Sequence, residues 1–226
     1  MIEMEFRSNI SNSSGSCGDA NRGEGVCRCP SNYKPHNLTD EEAKVFRRRY
    51  RHYLTTYHDS RHRGKIHLHH DMLSKIHKYK EQDRKMVKEN MMRIWRLMTW
   101  PTPTEVLLEV DVDIAVENYI THLHNVDNAV REEGRAAIRS IANGFFTLLD
   151  KDKDGVIALK TWMSHYSVMS GMELETCQRT FSHIDVSGIG FLCKNDVVDA
   201  VLGFFCRPSP NYYNYVFGPI ADSNRP

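Results

Sequence analysis

The twelve residues DKDKDGVIALKT, 150–161, place Asp150, Asp152 and Asp154 at alternating positions ahead of Gly155 and the apolar Ile157, and they end on Thr161. Carboxylates on alternate residues before a glycine that can turn sharply gather hard oxygen ligands round one divalent cation, calcium above all. An apolar run ending FFTLLD comes before the stretch, and LKTW carries the chain out of it. Helix, oxygen-rich loop, helix is the local expectation.

This spacing resembles the EF-hand loop. There positions 1, 3 and 5 give side-chain oxygens, position 6 is glycine, position 7 gives a backbone carbonyl (Val156 here), and apolar position 8 bridges to a partner loop. A hand needs that partner, and the same frame recurs. DVSGIGFLCKND, 185–196, sets Asp185, Ser187, Gly190, Leu192 and Asp196 in register, and DSRHRGKIHLHH, 59–70, sets Asp59, Gly64 and Ile66. The weakest copy is LLEVDVDIAVEN, 107–118, with only Ile114 at position 8, Tyr119 at position 13 and no glycine.

Helical periodicity links these loops. Thr39 stands three residues before Glu42, a capping-box pattern, and Ala43, Phe46, Tyr50, Tyr53, Leu54 and Tyr57 then mark one buried face, with Arg47, Arg48, Arg49 and Arg51 largely outside it. Val87, Met91, Ile94, Trp95 and Met98 mark a second helix, stopped by WPTPT at 100–104. Residues 127–149 and 194–206 form two more, and Gly171 ends another. The expectation is all-α with short loops.

The whole layout resembles the invertebrate sarcoplasmic calcium-binding proteins, calexcitin-like members included, which are related to the calcium-regulated photoproteins. Trp95, Trp100, Trp162 and the tail PSPNYYNYVFGPI carry the resemblance, which covers about residues 40–220 and has specific motifs only in the C-terminal half. It implies four EF-hand-like units in two pairs, forming one compact globule with short β-bridges between paired loops. The expected divisions are a disordered tail at 1–36, a degenerate pair at 37–123, a second pair at 127–206 and a C-terminal tail at 207–226 folded on the core.

Charge and cysteine usage narrow the function. The net charge of +1 divides into −3 for residues 1–43, +11 for 44–99 and −7 for 100–226. A basic segment 44–99 suits an acidic protein partner, attraction between the two halves or a merely solvated helix face. The periodic face explains its tyrosines better than nucleic-acid binding does. No apolar run is long enough for a membrane span and no signal peptide is evident, so the expectation is a cytoplasmic monomer. Six scattered cysteines suit a reducing compartment, and Cys27 and Cys29, one residue apart, lack the spacing of a zinc knuckle. His58, His62, His67, His69 and His70 crowd the first loop without a completed tetrahedral ligand set.

Much of an EF-hand's affinity comes from a bidentate glutamate at position 12, and no frame has one: the residues there read His70, Asn118, Thr161 and Asp196. The third loop keeps Asp150, Asp152, Asp154, the Val156 carbonyl and the Thr161 hydroxyl. The fourth keeps the weaker candidates Asp185, Ser187 and Asp196 but puts Ile189 at a ligand position. The first places Arg61 and Arg63 where the ion belongs. The expected function is weak, single-site calcium binding as a buffer or sensor. A calcium-free scaffold docking an acidic partner remains open. No catalytic residue is expected, and core packing explains Trp95, Trp162 and Tyr119, with nothing independent to support an aromatic-ligand pocket around them.

Overall fold

A computed structural model describes residues 36–58, 64–102, 107–209 and 216–220. Seven α-helices alternate with four three-residue strands: α1 (Asp40–Tyr57), β1 (Lys65–His67), α2 (Glu81–Thr99), β2 (Glu109–Asp111), α3 (Val112–Leu123), α4 (Asn128–Leu149), β3 (Val156–Ala158), α5 (Leu159–Ser170), α6 (Leu174–Ile184), β4 (Phe191–Cys193) and α7 (Lys194–Cys206). The cysteine-bearing N-terminal stretch lies outside the described residues, as do loop residues 59–63 and 103–106.

Local chemistry sets the boundaries. Thr39 and Glu42 complete a reciprocal capping box, the Thr39 amide donating to Glu42 Oε2 at 2.8 Å. Asp127 caps α4 through the Ala129 amide at 2.7 Å. Gly171, at φ +68°, ends α5 in the left-handed conformation that costs a glycine little.

Two antiparallel strand pairs organise the chain as two pairs of hands. β1 pairs with β2, setting Ile66 opposite Val110, and β3 pairs with β4, setting Ile157 opposite Leu192. These apolar pairs are buried, which fixes register, since a slip of one residue would turn them out to solvent. One core then runs through both halves: α4 packs on α2, α3 and α7, and α1 lies on α3 and α7. Phe46, Tyr50, Trp95, Tyr119, Trp162, Phe181 and Phe204 fill it. Where α4 crosses α2, Gly144 lies so close to Asn90 that a Cβ there would collide with its amide.

Three expectations change. The second loop is displaced: because Val110 occupies the bridge and α3 begins at Val112, its frame is 103–114 rather than 107–118, and position 12 is Ile114 instead of Asn118. Ile114 is 45% exposed on α3 and makes no bridge. The signal was the helix start, for Asp111 caps α3 through the Asp113 amide at 2.8 Å. Second, β1 runs into a π-helical turn, Leu68–Met72, and a 3₁₀ turn, Leu73–Lys78, in place of an α-helix. Third, Arg49 lies inside the core. Its Nη1 donates to the carbonyls of Phe204, at 3.1 Å, and Arg207, and its Nη2 to Ser209. It thus satisfies carbonyls that the end of α7 would leave orphaned.

Candidate metal centre

The third loop begins at the C-terminal cap of α4, Asp150, with φ −78° and ψ 71°. Asp185, which begins the fourth, has nearly the same backbone, φ −74° and ψ 66°. The two loops also share left-handed turns at positions 4 and 6: Lys153 and Gly155 at φ +60° and +85°, Gly188 and Gly190 at +66° and +82°. Backbone conformation is therefore common to both, and side chains separate them.

In the third loop one carboxylate oxygen from each of Asp150, Asp152 and Asp154 lies within 4.8 Å of the others, the one such carboxylate cluster among the described residues. Asp150 is half-buried; the other two are exposed. The Asp154 Oδ1 accepts from the Val156 amide at 3.0 Å, and Asp150 Oδ1 receives the Gly155 amide at 3.4 Å. Val156 itself sits in β3 opposite Cys193, and Thr161 is the third residue of α5, half-buried. Three converging anions with few protein donors between them suit a hard cation that takes oxygen ligands.

The fourth loop is closed on itself. Asp185 accepts from the Ser187 hydroxyl at 3.2 Å, the Ile189 amide at 3.1 Å and the Gly190 amide at 2.8 Å. Asp196 turns away to accept the Cys193 amide at 2.7 Å, capping α7. Val186, Ile189 and Phe191 are exposed on this loop. In the first loop Gly64 keeps the position-6 turn at φ +91°, while Asp59, Arg61 and Arg63 lie outside the described residues. Among the described residues His67, His69 and His70 belong to no cluster of three ligating groups: the His67 amide donates to Asp71, and the His67 ring lies 3.4 Å from Glu109.

The basic face of α1 is matched within the fold. Arg47 Nε lies 2.6 Å from Glu117, Arg51 pairs with Asp113, and Lys65 Nζ lies 2.7 Å from Glu109. Attraction between the halves, one of the three sequence-derived possibilities, thus accounts for part of the charge asymmetry.

The structure also holds an apolar cavity of about 160 Å³, which Tyr53, Tyr119, Tyr166, Phe145, Phe205 and Phe217 help to line. Tyr119, which the sequence reading assigned to core packing, takes part. Trp95 and Trp162 do not; they are core residues, and Trp162 Nε1 donates to Thr180 Oγ1 at 3.1 Å. Two polar atoms in the lining, Tyr119 Oη and His58 Nδ1, are buried without a hydrogen-bonding partner among the described residues. Burial pushes the His58 pKa down to about 3 and the His165 pKa to about 4, so both imidazoles are neutral at physiological pH. Phe217, from the C-terminal segment, closes one side, held by His52 Nε2 at 3.1 Å from its carbonyl and by the Tyr166 hydroxyl donating to the Val216 carbonyl at 3.1 Å.

No protein-family model matches the chain. Mitrocomin of Mitrocoma cellularia is 31% identical over 75 residues, 32% of this chain and 37% of its own length. Obelin of Obelia geniculata is 33% identical over 75 residues, 32% of this chain and 38% of its own. The match thus spans little more than a third of either relative. Among solved structures, n-aequorin superposes with a TM-score of 0.60 at 20% identity, covering 83% of this chain and 97% of its own. The coelenterazine-binding protein of Renilla muelleri, in a calcium-loaded apo form, gives 0.57 at 17% identity, covering 80% and 99%. The amphioxus sarcoplasmic calcium-binding protein gives 0.54 at 13% identity, covering 80% and 98%. The fold is the four-hand EF-hand fold that photoproteins and sarcoplasmic proteins have in common, and the likeness does not single out the sarcoplasmic branch.

Proposed function

We propose that this chain is a calcium-ion-binding EF-hand protein that works through its third loop alone, as a weak buffer or sensor of the sarcoplasmic kind. The observation that carries the reading is the convergence of Asp150, Asp152 and Asp154 within 4.8 Å on a loop of EF-hand backbone. Thr161 replaces two anionic oxygens with at most one neutral one. That change costs about one to three decades from a sensor-like constant, giving a dissociation constant between roughly 10 µM and 1 mM. The protein binds rather than catalyses in this reading, as a cytoplasmic monomer, and the free thiols of Cys177, Cys193 and Cys206 fit a reducing compartment. Calorimetric titration of the chain and of Asp150→Ala with calcium tests it. Heat that disappears in the variant supports the site; no heat at millimolar calcium refutes it and leaves the scaffold alternative, in which the basic segment 44–99 docks an acidic protein.

A second reading rests on the cavity. Its aromatic walls and the unpartnered Tyr119 Oη and His58 Nδ1 suit a flat aromatic ligand with hydroxyl or ring-nitrogen groups. The mitrocomin and obelin matches, and the neighbour named for binding coelenterazine, support it. Quenching of tyrosine fluorescence on titration with such a compound, abolished by Ala142→Phe in the lining, is the expected result.

A further inference from the structure

Beside the third loop the surface is concave and cationic. Two adjoining clefts have Lys80, Asp83, Leu148 and Lys151 in common. The first adds Lys78 and Lys160, with Thr161 and Ser164; the second adds Lys153 and Lys194, with Asp150. Six lysines from five places in the fold, namely the 3₁₀ turn, the start of α2, the third loop, α5 and the start of α7, thus face two carboxylates. No hydrogen bond or ion pair holds any of the six ammonium groups among the described residues. This contrasts with α1, where the basic side chains find acids on α3.

Segments far apart in sequence have brought six lysines together against only two carboxylates, and a bound anion would relieve the repulsion that remains. We infer that this cleft binds a compact polyanion bearing phosphate oxygens. The lining points to phosphate over a carboxylate-bearing peptide. Its cations are six lysines, point charges that bind phosphate oxygens from several sides, and six of them on one concave surface suit the several charges of a polyphosphate better than single carboxylates spaced along a peptide. The hydroxyls of Thr161 and Ser164 add neutral donors on one wall. This site does not rest on calcium in the third loop, although Asp150 lines both the cleft and the carboxylate cluster.

The test is calorimetric titration of the full chain with inorganic tripolyphosphate in calcium-free buffer containing a chelator, alongside sedimentation with vesicles of phosphatidylserine and phosphatidylcholine. Lys80→Glu combined with Lys151→Glu is expected to weaken tripolyphosphate binding at least about ten-fold. Lys44→Glu combined with Lys88→Glu, which changes net charge equally outside the cleft, should leave it within about two-fold. Unchanged far-ultraviolet circular dichroism and melting temperature establish that both variants are folded. Binding of tripolyphosphate alone supports the site with a free phosphate compound as its source. Sedimentation with anionic vesicles, lost in the cleft variant and retained in the control, supports it with a lipid headgroup as the source. Absence of both, or equal weakening by the two double substitutions, overturns it.

Discussion

Restoring the missing ligand is the most direct probe of the third loop. Thr161 is the third residue of α5 and holds loop position 12, three residues beyond the end of β3. Three carboxylates already stand within 4.8 Å of one another. A glutamate at 161 needs no new backbone geometry: α5 accepts it readily by propensity, and position 12 is where a bidentate side chain closes the shell from the exiting helix. Thr161→Glu adds one anionic group with two oxygens. Reversing a loss of one to three decades should therefore tighten calcium binding by about 1.4–4 kcal/mol. From roughly 10 µM to 1 mM, the constant should move to the micromolar range or below. Calorimetry on the chain, on Thr161→Glu and on Thr161→Gln gives the comparison, because the glutamine is nearly isosteric but supplies one neutral oxygen and should recover only a small part. An unchanged constant in the glutamate variant would mean that the aspartates do not form a calcium site, and the reasoning from loop chemistry would fail.

Asp185→Ala removes the acceptor for Ser187, Ile189 and Gly190 and should lower stability by about 1–2 kcal/mol in urea unfolding, with the calcium heat unaltered; loss of that heat would move the site to the fourth loop. Arg49→Met leaves the carbonyls of Phe204 and Arg207 without their donor and should cost about 3 kcal/mol, seen as a lower urea midpoint at constant slope; a change below about 0.5 kcal/mol refutes the clamp. The pKa values of His58 and His124 are pushed down to about 3 by burial, whereas in the unfolded chain histidine titrates near about 6.5. Below about pH 6.5 the unfolded state takes up protons that the folded state refuses, so stability falls by up to about 1.4 kcal/mol per pH unit per histidine. Melting temperature should drop between about pH 6.5 and 4.5, less steeply in a His58→Gln, His124→Gln double variant; equal slopes in the two proteins argue against it.

The sequence by itself settled the repeating unit, because an EF-hand loop is local: Asp150, Asp152, Asp154, Gly155 and Ile157 each act within twelve residues, so their spacing is their geometry. It also located α1, whose capping box and apolar periodicity are equally short in range. The tertiary structure decided whatever depends on partners distant along the chain. Only pairing with β1 shows that Val110, and not Ile114, fills the second bridge, since both are apolar residues beside acids. Arg49 looks like its neighbours Arg47 and Arg48 in sequence; its burial follows from carbonyls about 155 residues downstream. Asp196 occupies a ligand position in the loop frame, yet its carboxylate caps α7. The lysine cleft has no sequence signature, for its cations come from residues 78 to 194 and share a surface only once the fold assembles them. Short-range chemistry is written in spacing, whereas burial and charge clustering exist only once distant segments share a surface.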